Sequence, residues 1–208
     1  MPFEIWLAFV AASTALLLIP GPTVLLVLSY ALSKGRSVAL ASSAGVALGD
    51  LIAMTASLVG LGALVLASAT AFTLLKWAGA LYLIWLGCKL LRSAPSDRLA
   101  PPRDVTSRGV FTHAAAVTAL NPKSIAFFIA FVPQFIQPEA ALLPQFTILI
   151  ATFVALAALN ALAYALLADR LRRIISTPDV ITWLTRAGGV TLIGMGVLTA
   201  TLRRAAQP

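Results

Sequence analysis

An all-α integral membrane protein is the fold class this sequence predicts, built as six transmembrane helices in two inverted three-helix repeats with the first and fourth helices broken. Three observations carry that expectation. Hydrophobic residues make up 60% of the 208-residue chain and its mean hydropathy is +0.97, whereas about half of the residues of a soluble domain are apolar. Apolar runs of about 20 residues, the length that crosses a bilayer core of about 30 Å, recur six times along the chain. Pro-Gly-Pro and Asn-Pro interrupt the first and fourth of those runs.

The first run, Phe3 to Leu32, would measure about 45 Å as one straight helix at about 1.5 Å per residue, more than the core requires. Pro20 and Pro22 each remove a backbone donor and clash with the preceding turn, and Gly21 opens backbone angles that other residues avoid. The helix therefore breaks there. Irregular backbone at membrane depth is tolerated only where it is buried in protein or lines a polar cavity, which makes Pro20, Gly21 and Pro22 a candidate binding site. The second and third runs are Val38 to Leu66 and Ala71 to Leu91. A stretch of mixed charge with Pro95, Pro101 and Pro102 follows and reads as the linker. It divides the chain into residues 1–92, a cytoplasmic connection 93–108, and residues 109–208. The fourth run, Val110 to Ile136, is interrupted by Asn121-Pro122; the fifth and sixth are Leu142 to Ala168 and Ile181 to Leu202.

The two parts look related. Ala78-Gly79-Ala80-Leu81-Tyr82-Leu83-Ile84-Trp85-Leu86-Gly87 aligns without gaps on Ala187-Gly188-Gly189-Val190-Thr191-Leu192-Ile193-Gly194-Met195-Gly196, with five of ten positions identical. Small residues there are also a solution to close helix packing, so the alignment alone does not separate duplication from convergence. The matching breaks favour duplication. Three spans per half is an odd number, so the halves must be inserted with opposite orientation.

The net charge of +8 raises the question of a nucleic-acid partner. The positions of the basic residues answer it. Eleven of them, including Lys34, Arg36, Lys89, Arg92 and Arg170, gather around the connections after the first, third and fifth spans, whereas residues 67–70 and 137–141 hold none. That alternation is topogenic and places the basic connections in the cytoplasm and both termini outside, with Arg203 and Arg204 against the trend. No soluble domain is left to bind nucleic acid. A single cysteine, Cys88, excludes an internal disulfide, and His113 has no second ligand at metal spacing. The amino terminus, Met-Pro-Phe-Glu, lacks the basic start of a signal peptide, so the first helix is expected to stay. No phosphate loop, nucleophile elbow or metal cluster is present in the pattern, so neither a catalytic residue, a metal nor a cofactor is expected.

Counted from the cytoplasmic connections, Pro22, Asp50, Asn121 and Asn160 all lie roughly 14 to 20 Å inside the membrane. Four spans thus bring their least lipid-compatible feature to one level. A shared cavity accounts for that. Asp50, a lone acid deep in its span, costs about 2.5 kcal/mol or more to insert, which favours a proton carrier or a counter-charge over a mere partner for a lysine. Gly45 and Gly49 before it form a small-residue pattern read first as helix packing. Asn121-Pro122-Lys123 reads as a helix start inside the bilayer, Asn as N-cap and Pro in the first turn. Such an end presents free N–H groups and a positive dipole, suited to a carboxylate, and Lys123 adds a full charge or pairs with Asp50. Asn160 either faces the cavity or bonds between helices, and Lys76 either snorkels outward or joins the site. Trp6, Trp77 and Trp183 fit interfacial anchors.

In order and spacing, Ile19-Pro20-Gly21-Pro22, Gly45-Val46-Ala47-Leu48-Gly49-Asp50, Lys76-Trp77-Ala78-Gly79-Ala80-Leu81-Tyr82-Leu83, Leu120-Asn121-Pro122-Lys123 and Phe131-Val132-Pro133-Gln134-Phe135 resemble the LysE/RhtB family of bacterial amino-acid exporters from end to end. The resemblance implies a six-helix carrier of the bacterial cytoplasmic membrane that expels amino acids or close derivatives in exchange for protons. Pro20-Gly21-Pro22, Asp50 and Asn121-Pro122-Lys123 match motifs of that family; Asn160 rests on depth alone. The expected partners are an amino-acid substrate, protons and membrane lipid. Small-residue faces serve folding and dimerisation alike and leave a homo-oligomer open. The competing expectation is a cation exporter or channel of similar size, which calls for several inward acids or rings of carbonyls.

Overall fold

The computed structural model describes the chain except for residues 20, 35–37, 68, 93–105, 138–139, 169–177 and 202–208. Among the described residues it forms eight α-helices and no strand. They are α1 (Phe3–Leu18), α2 (Pro22–Lys34), α3 (Ala39–Ala67), α4 (Ala69–Arg92), α5 (Ser107–Ala119), α6 (Pro122–Ala130), α7 (Leu142–Leu166) and α8 (Pro178–Thr201). Ala39–Ala63 within α3 and the whole of α7 are each long and apolar enough to cross a membrane alone. The pairs α1/α2 and α5/α6 reach that length only together, bent by 56° and 44° at their breaks. Counting each bent pair as one, up to four spans meet the criterion among the described residues.

The breaks lie where backbone chemistry requires them. α1 stops at Leu18 and α2 starts on Pro22, a residue that needs no intrahelical acceptor at a first turn. The first span thus breaks between Leu18 and Pro22; Pro20 lies outside the described residues. On the other side, α5 opens with Thr106 as N-cap, its hydroxyl accepting from the Gly109 amide at 3.2 Å. It closes at Ala119, and α6 begins at Pro122. The fourth run does not stay helical to Ile136 as the sequence suggests. α6 ends at Ala130, and Val132–Phe135 continue as a 3-10 turn. Pro133 has no N–H to donate to the preceding turn, so the ladder cannot pass it.

Packing is tightest where side chains are smallest. α4 lies mainly against α8, and α3 against α5 and α7. A Cβ at Gly87 would stand 2.5 Å from the Gly189 carbonyl oxygen, and one at Gly189 would stand 2.7 Å from that of Gly87. One helical stretch away, a Cβ at Gly196 would meet the Ala80 carbonyl oxygen at 2.7 Å. Gly87 thus faces Gly189 while Ala80 faces Gly196, so α4 and α8 cross antiparallel. Gly45 abuts the Phe111 carbonyl and Gly49 the Ala115 carbonyl, which seats α3 on α5. α6 is held to α7 by aromatic contacts, among them Phe128 edge-on to Phe153 with ring centroids 4.8 Å apart. The chain between α6 and α7 is tied by Gln145, whose amide donates to the carbonyls of Gln137, Ala140 and Ala141.

Candidate functional site

Both breaks open onto one cavity. Its walls include Leu16 and Leu17 at the end of α1, Gly21 and Thr23 at the start of α2, and Asp50 on α3. Asn121, Lys123 and Ser124 at the start of α6 and Asn160 on α7 complete its polar lining. At about 30 Å³ it has room for a water molecule or two. An amino-acid-sized molecule enters only if the helices move.

The start of α6 is built around Asn121. Its side-chain oxygen accepts from the Lys123 amide at 3.0 Å, the bond of an N-cap, and its side-chain amide donates to the Thr23 hydroxyl at 3.2 Å. The Thr23 and Thr118 hydroxyls lie 3.4 Å apart. The two broken spans are therefore joined directly, the first turn of α2 to the cap of α6.

The end of α1 poses the opposite problem, since a terminating helix leaves its last carbonyls without intrahelical donors. Side chains from α6 and α7 satisfy them. Lys123 Nζ donates to the carbonyls of Leu16 and Ile19, each at 3.0 Å. Asn160 donates to the Leu17 carbonyl and the Tyr164 hydroxyl to that of Leu18, both at 3.1 Å. Four consecutive carbonyls, Leu16 to Ile19, thus find side-chain donors. Lys123 is 8% exposed, and no ion pair joins it to Asp50 among the described residues. Asp50 is 2% exposed, and its Oδ1 has no hydrogen-bond partner. A buried acceptor left unmade costs about 1–3 kcal/mol. Its place on a cavity wall makes it a group awaiting a donor.

Of the residues singled out by sequence, Gly21, Asp50, Asn121, Lys123 and Asn160 come together here. Pro22 and Pro122 begin their helices and are exposed rather than part of the lining. Gly45 and Gly49 face α5. Pro20 and the side chain of Lys76 lie outside the described residues. Asn160 does both things open to it: it borders the cavity and bonds to another helix. Thr23, Ser124 and Tyr164 were not singled out. Tyr164 had a signal, four residues after Asn160 and so on the same helix face. His113, midway along α5, lies 2.7 Å from the Tyr30 hydroxyl through Nδ1.

The profile of the LysE type translocator family matches residues 14–203, which hold both breaks and every lining residue of the cavity. The chain belongs to that family. Relatives of this chain include the homoserine/homoserine lactone efflux protein of Salmonella typhimurium, 39% identical over 206 residues, 99% of this chain and 100% of the relative. A membrane protein of Vibrio cholerae is 35% identical over 204 residues, 98% of this chain and 100% of the other. The leucine efflux protein of Klebsiella pneumoniae is 29% identical over 141 residues, 65% of each chain. No solved structure is a significant match. This LysE-type chain is a multi-pass protein of the bacterial inner membrane and a transporter, not an enzyme.

Proposed function

We propose that the protein exports amino acids or close derivatives from the bacterial cytoplasm in exchange for protons, through six spans arranged as two inverted halves. The substrate class follows the relatives above, efflux proteins for homoserine, homoserine lactone or leucine. The observation that carries the site is the unpartnered Oδ1 of Asp50 on a cavity bounded by broken helices from both halves. The starts of α2 and α6 offer positive dipole ends to a carboxylate. Asp50 supplies the negative charge and takes up the coupling proton when the cavity is open to the side where protons are plentiful. Among the described residues it is the one buried acid, whereas a cation channel calls for several.

The inverted arrangement is supported by α4 and α8. In the repeat alignment Ala80 corresponds to Gly189 and Gly87 to Gly196. The contacts Gly87 to Gly189 and Gly196 to Ala80 exchange under that correspondence, as do Gly87 to Ile193 and Gly196 to Ile84. Reciprocal contacts of this kind are what a two-fold axis produces. Since the helices are antiparallel, that axis runs across them, in the plane of the membrane. α4 and α8, at 24 residues each, are about 36 Å long and supply the remaining two spans.

The test is efflux of a panel of labelled amino acids from cells loaded with dipeptides, comparing wild type with Asp50→Asn. Export of at least one amino acid by wild type and its loss in the variant is the expected result. Release of inorganic cations without amino-acid movement would overturn the reading.

A further inference from the structure

We infer that the carbonyl end of α1 is the seat of the substrate's ammonium group, and that Lys123 holds this seat as a tethered stand-in until substrate displaces it. The inference rests on the exporter reading above and goes further by assigning each charged end of the substrate to a place. Leu16 and Ile19 present their carbonyl oxygens to a primary ammonium, that of Lys123, at 3.0 Å each. Only the stem differs between this group and the ammonium of an amino acid: both are compact cations with three donors. A site that fits one in its hydrogen bonds fits the other.

The neighbouring carbonyls are already engaged. Leu17 and Leu18 accept from Asn160 and Tyr164, neutral donors that stay with the fold. That leaves the two oxygens that Lys123 covers, of which that of Leu16 also accepts from the Ile19 amide at 3.3 Å. The negative end of a helix dipole adds to the attraction for a cation. Gly21 lets Lys123 lie there, since a Cβ at that position would stand 3.3 Å from Nζ. The seat opens onto the cavity through Leu16, and the same cavity holds the unpartnered Asp50 Oδ1.

Charge bookkeeping favours exchange over simple addition. Substituting one ammonium for another at the carbonyls leaves no buried charge uncompensated, which otherwise is costly in a low-dielectric interior. The displaced Lys123 then meets the substrate's own carboxylate, which is attached to the same carbon as the incoming ammonium, or Asp50. A zwitterion satisfies both halves of the exchange. An amine without a carboxylate can only compete with Lys123, and a carboxylic acid without an amine cannot displace it.

The experiment uses the full chain, purified and reconstituted, with two sets of probes. One is homoserine, propanolamine and gamma-hydroxybutyrate; the other is leucine, isoamylamine and isocaproate. Each set is an amino acid, its decarboxylated amine and its deaminated acid. Binding is measured in wild type and in Lys123→Met, which empties the seat while keeping the stem's bulk. The amine of the better-bound set should tighten by about tenfold in the variant, as expected when a self-competing group is removed, while the acid weakens. Should Lys123→Met fail to fold, Lys123→Gln, which keeps a polar side chain but gives up the competing charge, should still tighten the amine relative to wild type. Unchanged or weaker amine binding in the folded variant, with wild-type amino-acid efflux intact, overturns the seat and leaves the exporter reading standing. Tightening of the amine in a protein that moves no amino acid retains the seat and overturns the exporter reading.

Discussion

Gly87 and Gly189 each occupy the space in which the other's side chain would begin: a Cβ on either would stand 2.5 or 2.7 Å from the partner's carbonyl oxygen. The obstacle is backbone in both directions, so it cannot swing aside. Gly87→Ala or Gly189→Ala must part α4 from α8, at a cost of about 1–3 kcal/mol by analogy with overpacked cores. Gly194, on the same α8 but with open space around it, is the control. Gly194→Ala should be neutral or stabilising by up to about 1 kcal/mol through helix propensity. Thermal unfolding of the purified variants, followed by tryptophan fluorescence, checks the contrast.

The carbonyl end of α1 gives a graded series. Asn160→Ala leaves the Leu17 carbonyl without its donor in a part-buried site and should cost about 1–3 kcal/mol. Tyr164→Phe keeps the ring in place and removes only the bond to Leu18, so a loss nearer 0.6 kcal/mol, about the membrane average for side-chain bonds, is expected. Equal destabilisation by the two would mean that the cavity-facing carbonyl is no more isolated than the outer one. The same unfolding measurement distinguishes these outcomes.

Asn121 performs two tasks that substitution can separate. Its oxygen caps α6 and its amide reaches Thr23. Asn121→Ser retains an N-capping hydroxyl but is too short to bridge to α2, whereas Asn121→Ala loses both. The alanine variant should therefore be less stable than the serine variant by about 1 kcal/mol, the usual worth of a cap. Efflux should fall in both, because the link between the two broken spans is lost in both.

How much of this was legible in the chain itself depends on which atoms carry the information. Proline and glycine at 20 to 22 and the Asn121-Pro122 pair announce their breaks, because a missing N–H or Cβ is a property of the residue. Asp50 announces itself as charge in an apolar run. The seat at Leu16 and Ile19 had no such mark. Its functional atoms are backbone oxygens, identical in every residue, and only the approach of α6 shows which of them matter. Lys123 was legible as a candidate but not in its pairing, since either Asp50 or a carbonyl could satisfy it. The end of α6 at Ala130 was obscured by the apolar run through Phe135, although Pro133 was there to signal it. The small residues of α4 and α8 were visible as an alignment, but that they touch one another antiparallel is a fact of packing.

If Asp50 carries the coupling proton, its substitution should separate two modes of transport that share every other step. Net efflux driven by a proton gradient requires a carboxyl that loses its proton on one face and regains it on the other. Exchange of labelled for unlabelled amino acid requires only that the loaded cavity change sides, with no proton released. Asn at position 50 has the shape of a permanently protonated Asp, with an NH2 donor in place of the acid's hydroxyl and no proton to release. In proteoliposomes, Asp50→Asn is therefore expected to lose gradient-driven efflux to the liposome background while retaining exchange. Loss of both would make Asp50 a substrate ligand rather than a proton carrier, and retention of both would remove it from the mechanism.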